Sequence, residues 1–216
     1  MVASQYQENR YVLKRYVENK VSRLQKLNEQ SSSLAKGELA RLRRGAGTAP
    51  GAFPEIWEIE YESIPKELAG KGSEPSTAEW AIHIVMTLYA THQQSQSARM
   101  HVPGKEHGLG HAIRLLEIKE QHKKEGADQR NQGMPRRFAS LINADEPEAI
   151  AHYGRQIVKQ LRAQEIPLDY GALAADIYGV LDPYHCDEVR LAWCRQFVQP
   201  VTQDAEEEKD QSETSE

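Results

Sequence analysis

Only two cysteines occur in these 216 residues, Cys186 and Cys194. They stand eight positions apart in a segment with helical spacing, about 12 Å along a helix axis, which is too far for a disulfide. Both are expected to be reduced and partly buried. No apolar run approaches the roughly 20 residues needed to span a bilayer. The start, MVASQYQENRYVLKRY, has no signal-peptide stretch either. Neither export nor a membrane partner is expected, and the location that fits is cytoplasmic. The alternation that marks half-buried strands is also missing. GxxxxGK followed by Ser or Thr, HExxH and a paired CxxC are all absent, so nucleotide hydrolysis and zinc lack their usual signatures. His107 and His111 have i,i+4 spacing, but Gly108 and Gly110 interrupt the helix that would align them. No serine, cysteine or carboxylate stands out as an activated nucleophile. The chain is expected to be no enzyme and to need no cofactor.

Helical periodicity fills the space left by these absences. Leu13, Val17, Val21, Leu24 and Leu27 recur three or four apart within residues 6–29, flanked by Arg10, Lys14, Arg15, Arg23 and Lys26. A short helix over 38–44 should end at Gly45. GAGTAPGAFPEIWEIE reads as a loop that docks Phe53 and Trp57 on the core. Ser76, Thr77 and Glu79 supply capping chemistry for the most apolar helix, AEWAIHIVMTLYATHQQ, whose His83 is expected to pack and hydrogen-bond. After Pro103 and Gly104 comes HAIRLLEIKEQHKK, whose N-terminus offers free N–H groups to an anion. Residues 125–133 are polar and aperiodic and form the expected connector. Pro135 suits a first helical position, Asp169 a cap, and Val189, Leu191, Trp193, Phe197 and Val198 form the apolar set of the last helix. The fold expected is an all-α helical bundle of two lobes, an N-terminal one over 1–127 and a C-terminal one over 134–203, with a disordered acidic tail over 204–216.

Charge is the second signal. The formal net charge is −5, yet the final thirteen residues hold seven acids and one lysine, leaving 26 cations and 25 acids in residues 1–203. Within that neutral body, residues 10–44 hold ten basic side chains against three acids, and residues 99–137 hold nine against five, plus four histidines. Such segregation makes cationic patches. LARLRRG, ARMHVPGKEHGLGHAIR and MPRRFASL each place cations at or beside a helix end. Phosphate binding is one explanation, and complementing a helix dipole is the plainer one.

The order of segments carries a further signal. LARLRRG, TLYATHQQ, RMHVPG, GLGHAIRLLE, RRFASLINADEPEAIAHYGRQIVKQLR, IPLDYGALAADIY and VRLAWCRQFV follow one another with natural spacing. From about residue 34 to 199 the chain resembles the CasB family, the small subunit of the type I-E CRISPR Cascade complex. The resemblance implies an all-α, two-lobed, non-catalytic subunit that sits as a pair in an RNA-guided surveillance complex. Its partners would be crRNA, target DNA, the backbone and large subunits, and a second copy of itself. Matching the motifs position by position implies nucleic-acid backbone contacts at Arg41, Arg43, Arg44, Arg99, His101, Arg114, Arg136 and Arg137. Arg155, Lys159, Arg162, Arg190 and Arg195 follow as second-line residues. Without the resemblance, a helical scaffold or adaptor whose basic clusters meet acidic protein surfaces explains the charge pattern equally well.

Overall fold

A computed structural model describes residues 2–122 and 136–199, and these are organised by helices, with no strand among them. Nine α-helices run in order as α1 (Val2–Glu29), α2 (Ser33–Gly45), α3 (Trp57–Tyr61), α4 (Thr77–His92), α5 (Leu109–His122), α6 (Arg136–Ile142), α7 (Pro147–Ala163), α8 (Tyr170–Val180) and α9 (Cys186–Val198). The all-α reading holds. Both α1 and α2 begin earlier than their apolar spacing indicated. The connector over 125–133, Pro135 and the acidic tail lie outside the described residues.

The centre is α4. Its entry is a complete capping box, in which Glu79 N donates to Ser76 Oγ (3.1 Å) and Ser76 N donates to the Glu79 carboxylate (2.7 Å). Two orphan N–H groups are thereby satisfied. Every residue from Ala81 to His92 is buried, as expected of a helix surrounded on all sides. Its polar side chains find partners inside: Thr87 and Thr91 donate to carbonyls one turn back, both at 2.9 Å. His83 Nδ1 donates to the fully buried Glu60 carboxylate at 3.1 Å, the packing role its sequence position implied.

Around α4 stand α2, α7 and α8, while α1 lies along α8 and α5 along α9. Leu13, Val17, Val21 and Leu24 are buried as the stripe on α1 requires. Asp169 caps α8 by accepting from Ala172 N at 2.9 Å. Residues of both expected lobes belong to one hydrophobic cluster, in which Leu13, Leu42 and Ile84 join Phe138, Val158 and Trp193. The two described stretches, 2–122 and 136–199, therefore share a core.

Three smaller expectations are revised. Phe53 packs on the core, but Trp57 is half-exposed, its indole Nε1 donating to Gly51 O at 2.8 Å. With Ile56, Ile59 and Glu60 turned inward, the helical period leaves position 57 outside. On α9 only Val189 and Trp193 are fully buried and Phe197 packs beside them; Leu191 and Val198 are exposed. Both cysteines are free, and Cys194 on that outer face is exposed.

Candidate nucleic-acid interface

The last turns of α2 present Arg41, Arg43 and Arg44 beside the C-terminus of α4. Gly45 lets the following segment fold back on the end of α2, because a Cβ there would sit 2.6 Å from Ile56 Cδ1 and 3.3 Å from the Phe53 ring. Arg43 Nη1 donates to Ala90 O at 3.3 Å. From α7, Arg162 Nη1 donates to Thr91 O at 3.2 Å and to the Gln94 side chain at 2.9 Å. Two arginines from different helices thus satisfy terminal carbonyls of α4, a placement that the helix dipole favours. Dipole complementation is therefore real here, and it leaves most of the donors on each guanidinium unused.

What distinguishes these arginines is the lack of an acid. Arg10, Arg15, Arg23, Arg99, Arg114 and Arg190 each have a carboxylate within 4 Å. Among the described residues, Arg41, Arg43, Arg44, Arg155 and Arg162 have no such partner. Burial, and then the neighbouring Arg162, hold the Arg43 guanidinium below its ordinary pKa, and burial does the same for Arg155. Arg155 reaches the loop after α2, where a Cβ on Gly47 would lie 3.4 Å from its Nη2. Arg155, Lys159 and Arg162 are spaced four and three apart, so they share one face of α7. Arg44 stacks over Phe53, 5.9 Å from the ring centroid. The end of α2 and the outer face of α7 together form a surface of like charge with no internal counter-ion among the described residues. Such a surface attracts polyanions.

The other sequence candidates separate. Arg136 and Arg137 are exposed at the start of α6, with Arg137 Nε donating to Gln156 at 3.0 Å. Arg99 is tied to Glu29 at 2.7 Å, and Arg114 lies 3.6 Å from Glu117. His101 requires correction as a surface contact. It is 2 % exposed; its Nδ1 accepts from Tyr170 N at 3.2 Å, and its backbone exchanges two hydrogen bonds with Gln25. Burial lowers its pKa, which keeps the ring neutral. The cause is long-range: the backbone of His101 bridges to Leu168, which pulls residues 100–102 inward.

The anion site expected at the start of α5 is closed as well. Gln196 of α9 accepts from Gly110 N at 3.0 Å, and Ala112 N donates to Gly108 O. Of the second-line residues, Arg190 closes a packing contact, donating to Ala144 O at 3.3 Å. Gln94, which joins the two arginine groups, was missed: an amide two residues past a helix has no distinguishing signal in sequence. The i,i+4,i+7 spacing of Arg155, Lys159 and Arg162 was such a signal. No group of three or more His, Cys, Asp or Glu able to hold a metal occurs among the described residues.

Comparison with known proteins places this helical order. A family model described as CRISPR-associated protein Cse2 matches residues 38–197. The crystal structure of CasB from Thermobifida fusca is 33 % identical, covers 87 % of this chain and 98 % of its own, and superposes with a TM-score of 0.69. A CRISPR-associated Cse2-family protein from Thermus thermophilus shares the fold at 22 % identity, with 84 % and 96 % of the two chains covered and a TM-score of 0.59. CasB from M. ruber does so at 22 % identity over 89 % and 97 %, with a TM-score of 0.56. No curated protein matches. The class defined is that of an all-α CRISPR-associated protein. Within it, this chain belongs to the Cse2/CasB family, the small subunit of type I-E Cascade.

Proposed function

We propose that this subunit catalyses no reaction and holds nucleic-acid backbone within the R-loop of an RNA-guided Cascade complex, in antiviral defence in the cytoplasm. Its partners in this reading are crRNA, target DNA, the backbone and large Cascade subunits and a second copy of itself. The observation that carries the proposal is the arginine surface joining α2 to α7, where Arg41, Arg43, Arg44, Arg155 and Arg162 have no carboxylate partner among the described residues. Arg136 and Arg137 extend the candidate set, and Arg99 and Arg114 join it by exchanging their carboxylate partners for phosphate.

Base pairing with a guide reads sequence, and the exchange of duplex for heteroduplex is close to balanced. Modest contacts to phosphates are then enough to shift the equilibrium. Each contact releases condensed counterions, so affinity should fall as log salt rises, with a slope of about −0.7 to −0.9 per phosphate neutralised. Contacts of this kind position a backbone and carry no sequence preference.

The test is co-expression of the tagged chain with the remaining Cascade subunits and a guide RNA, then size-exclusion chromatography and an R-loop assay with and without this subunit. Co-elution with RNA and subunit-dependent R-loop stability are expected. A chain with Arg43, Arg44, Arg136 and Arg137 changed to glutamate should keep its helicity and open target duplex less well. Unchanged R-loop yield, or elution as a free chain indifferent to nucleic acid, overturns the proposal in favour of a protein-binding scaffold.

A further inference from the structure

Arg43 stands between two cavities. On one side it joins Arg41 and Arg44 in lining a cavity of about 750 Å³; on the other it borders a cleft of about 590 Å³ between the end of α1, α2 and the loop after α4. Gln94 also lines both, so the cleft adjoins the arginine surface directly. Its size falls within the roughly 300–1,000 Å³ of sites that enclose small organic groups.

The floor of the cleft is held by internal bonds. Gln93, 4 % exposed, donates from Nε2 to the carbonyls of Gln96 and Ala98 at 3.0 and 2.9 Å, and its Oε1 accepts from Met100 N at 3.2 Å. One buried amide thus fixes the loop over residues 93–100. Gln96 Nε2 donates to Arg162 O at 3.0 Å and Arg162 Nη1 donates to Gln94 Oε1 at 2.9 Å, which ties the loop to α7.

The side chains lining this fixed cleft are left over from folding. Those of Asn28, Ser31, Lys36, Ser95 and Ser97 have no hydrogen-bond or ionic partner among the described residues. Their chemistry differs from that of a phosphate site. Phosphate oxygens only accept, and cations and N–H groups answer them. Here three hydroxyls and the Asn28 amide both donate and accept, as the mixed edge of a nucleobase requires. Glu29 on the rim adds a negative charge that a phosphate would avoid. Arg43 contributes a planar guanidinium anchored on Ala90 O at 3.3 Å, and such planes stack on bases as well as pairing with phosphates.

We propose that this cleft takes one unstacked base, purine or pyrimidine alike, from a single strand whose phosphates lie along Arg41 and Arg44. That a strand runs along these arginines rests on the proposed function; the cleft adds a contact that charge neutralisation does not contain. A single strand splays a base out at little cost, whereas a duplex must unpair and unstack one. The cleft therefore favours single strands over duplex of equal charge.

The experiment titrates the full chain with labelled 20-nucleotide oligothymidine and with an abasic strand of the same length and charge, over a salt series. Both strands are also titrated into a chain carrying Asn28→Ala and Ser97→Ala, whose helicity is checked by circular dichroism. If that chain loses helicity, Asn28→Asp with Ser97→Ala replaces it and keeps the shape of residue 28. The unmodified chain is expected to bind oligothymidine roughly fivefold or more tightly than the abasic strand, with equal salt slopes because the phosphates are the same. In the variant the ratio should fall below about twofold.

Equal affinity of the unmodified chain for the two strands overturns the base cleft and leaves the backbone reading standing. An undiminished ratio in the variant places the base contact elsewhere and overturns it too. Binding of neither strand at low salt removes the backbone reading, and the cleft with it.

Discussion

Arginines of this chain divide by what faces them. Arg23 is satisfied by Glu38 at 2.8 Å, whereas Arg43 and Arg155 sit part-buried with no carboxylate partner among the described residues. Replacing Arg43 or Arg155 with glutamine should lower the slope of log affinity against log salt by about one unit each for single-stranded DNA. Arg23→Gln should leave the slope unchanged. Equal slopes in all three chains would show that the acid-free arginines are not the ones facing phosphate. Histidines divide in the same way. Burial, reinforced by Arg162, holds His92 down from 6.5 to about 3, and His101 is shifted in the same direction. In the fold these rings stay neutral while the unfolded chain binds the protons. Stability is therefore complete above about pH 6.5 and lost progressively as pH falls toward 3; at pH 5.5 His92 alone should remove about 1.4 kcal/mol. Urea midpoints at pH 7.5 and 5.5 check this, and His92→Gln should narrow the difference.

At the scale of helices, close approach depends on positions where a side chain is missing. A Cβ on Gly110 would collide with the Trp193 carbonyl and lie 2.6 Å from Gln196 Cβ, so Gly110→Ala should pry α5 from α9. A loss of about 1–3 kcal/mol is expected from overpacking of this kind. Gly37, inside α2 with nothing near its Cβ position, should behave oppositely: Gly37→Ala should gain up to about 1 kcal/mol from helix propensity. Thermal denaturation of both variants tests the contrast. Local sequence made the helices legible because their apolar spacing, the Ser76–Glu79 capping box and the Asp169 cap are all contained within one or two turns. It misled where partners are distant. His101, flanked by Arg99, Lys105 and His107, has the local setting of a surface residue, and only the bridge to Leu168 turns it inward. The start of α5 reads as open to an anion until Gln196, far along the chain, is seated on it. The arginine surface was half legible: LARLRRG and the face of α7 were both visible in the sequence, but nothing local joined them.

Across the whole molecule, the same distant contacts bind the two stretches expected to be lobes. α1 rests on α8, α5 on α9, and α4 on both α7 and α8, while α1, α2 and α4 also pack on one another, so the two stretches build one core together. Unfolding of either strips the other of part of that shared core, and a single cooperative transition is expected. The membership of Trp193 and Leu13 in one cluster also makes the chain divisible without being separable. A protease site placed between residues 122 and 136 and then cleaved should give two polypeptides that stay associated, co-elute and retain the helical signal of the intact chain. Expressed as independent fragments, they should gain structure only on mixing, and that would let assembly of the subunit be switched on by adding its missing part.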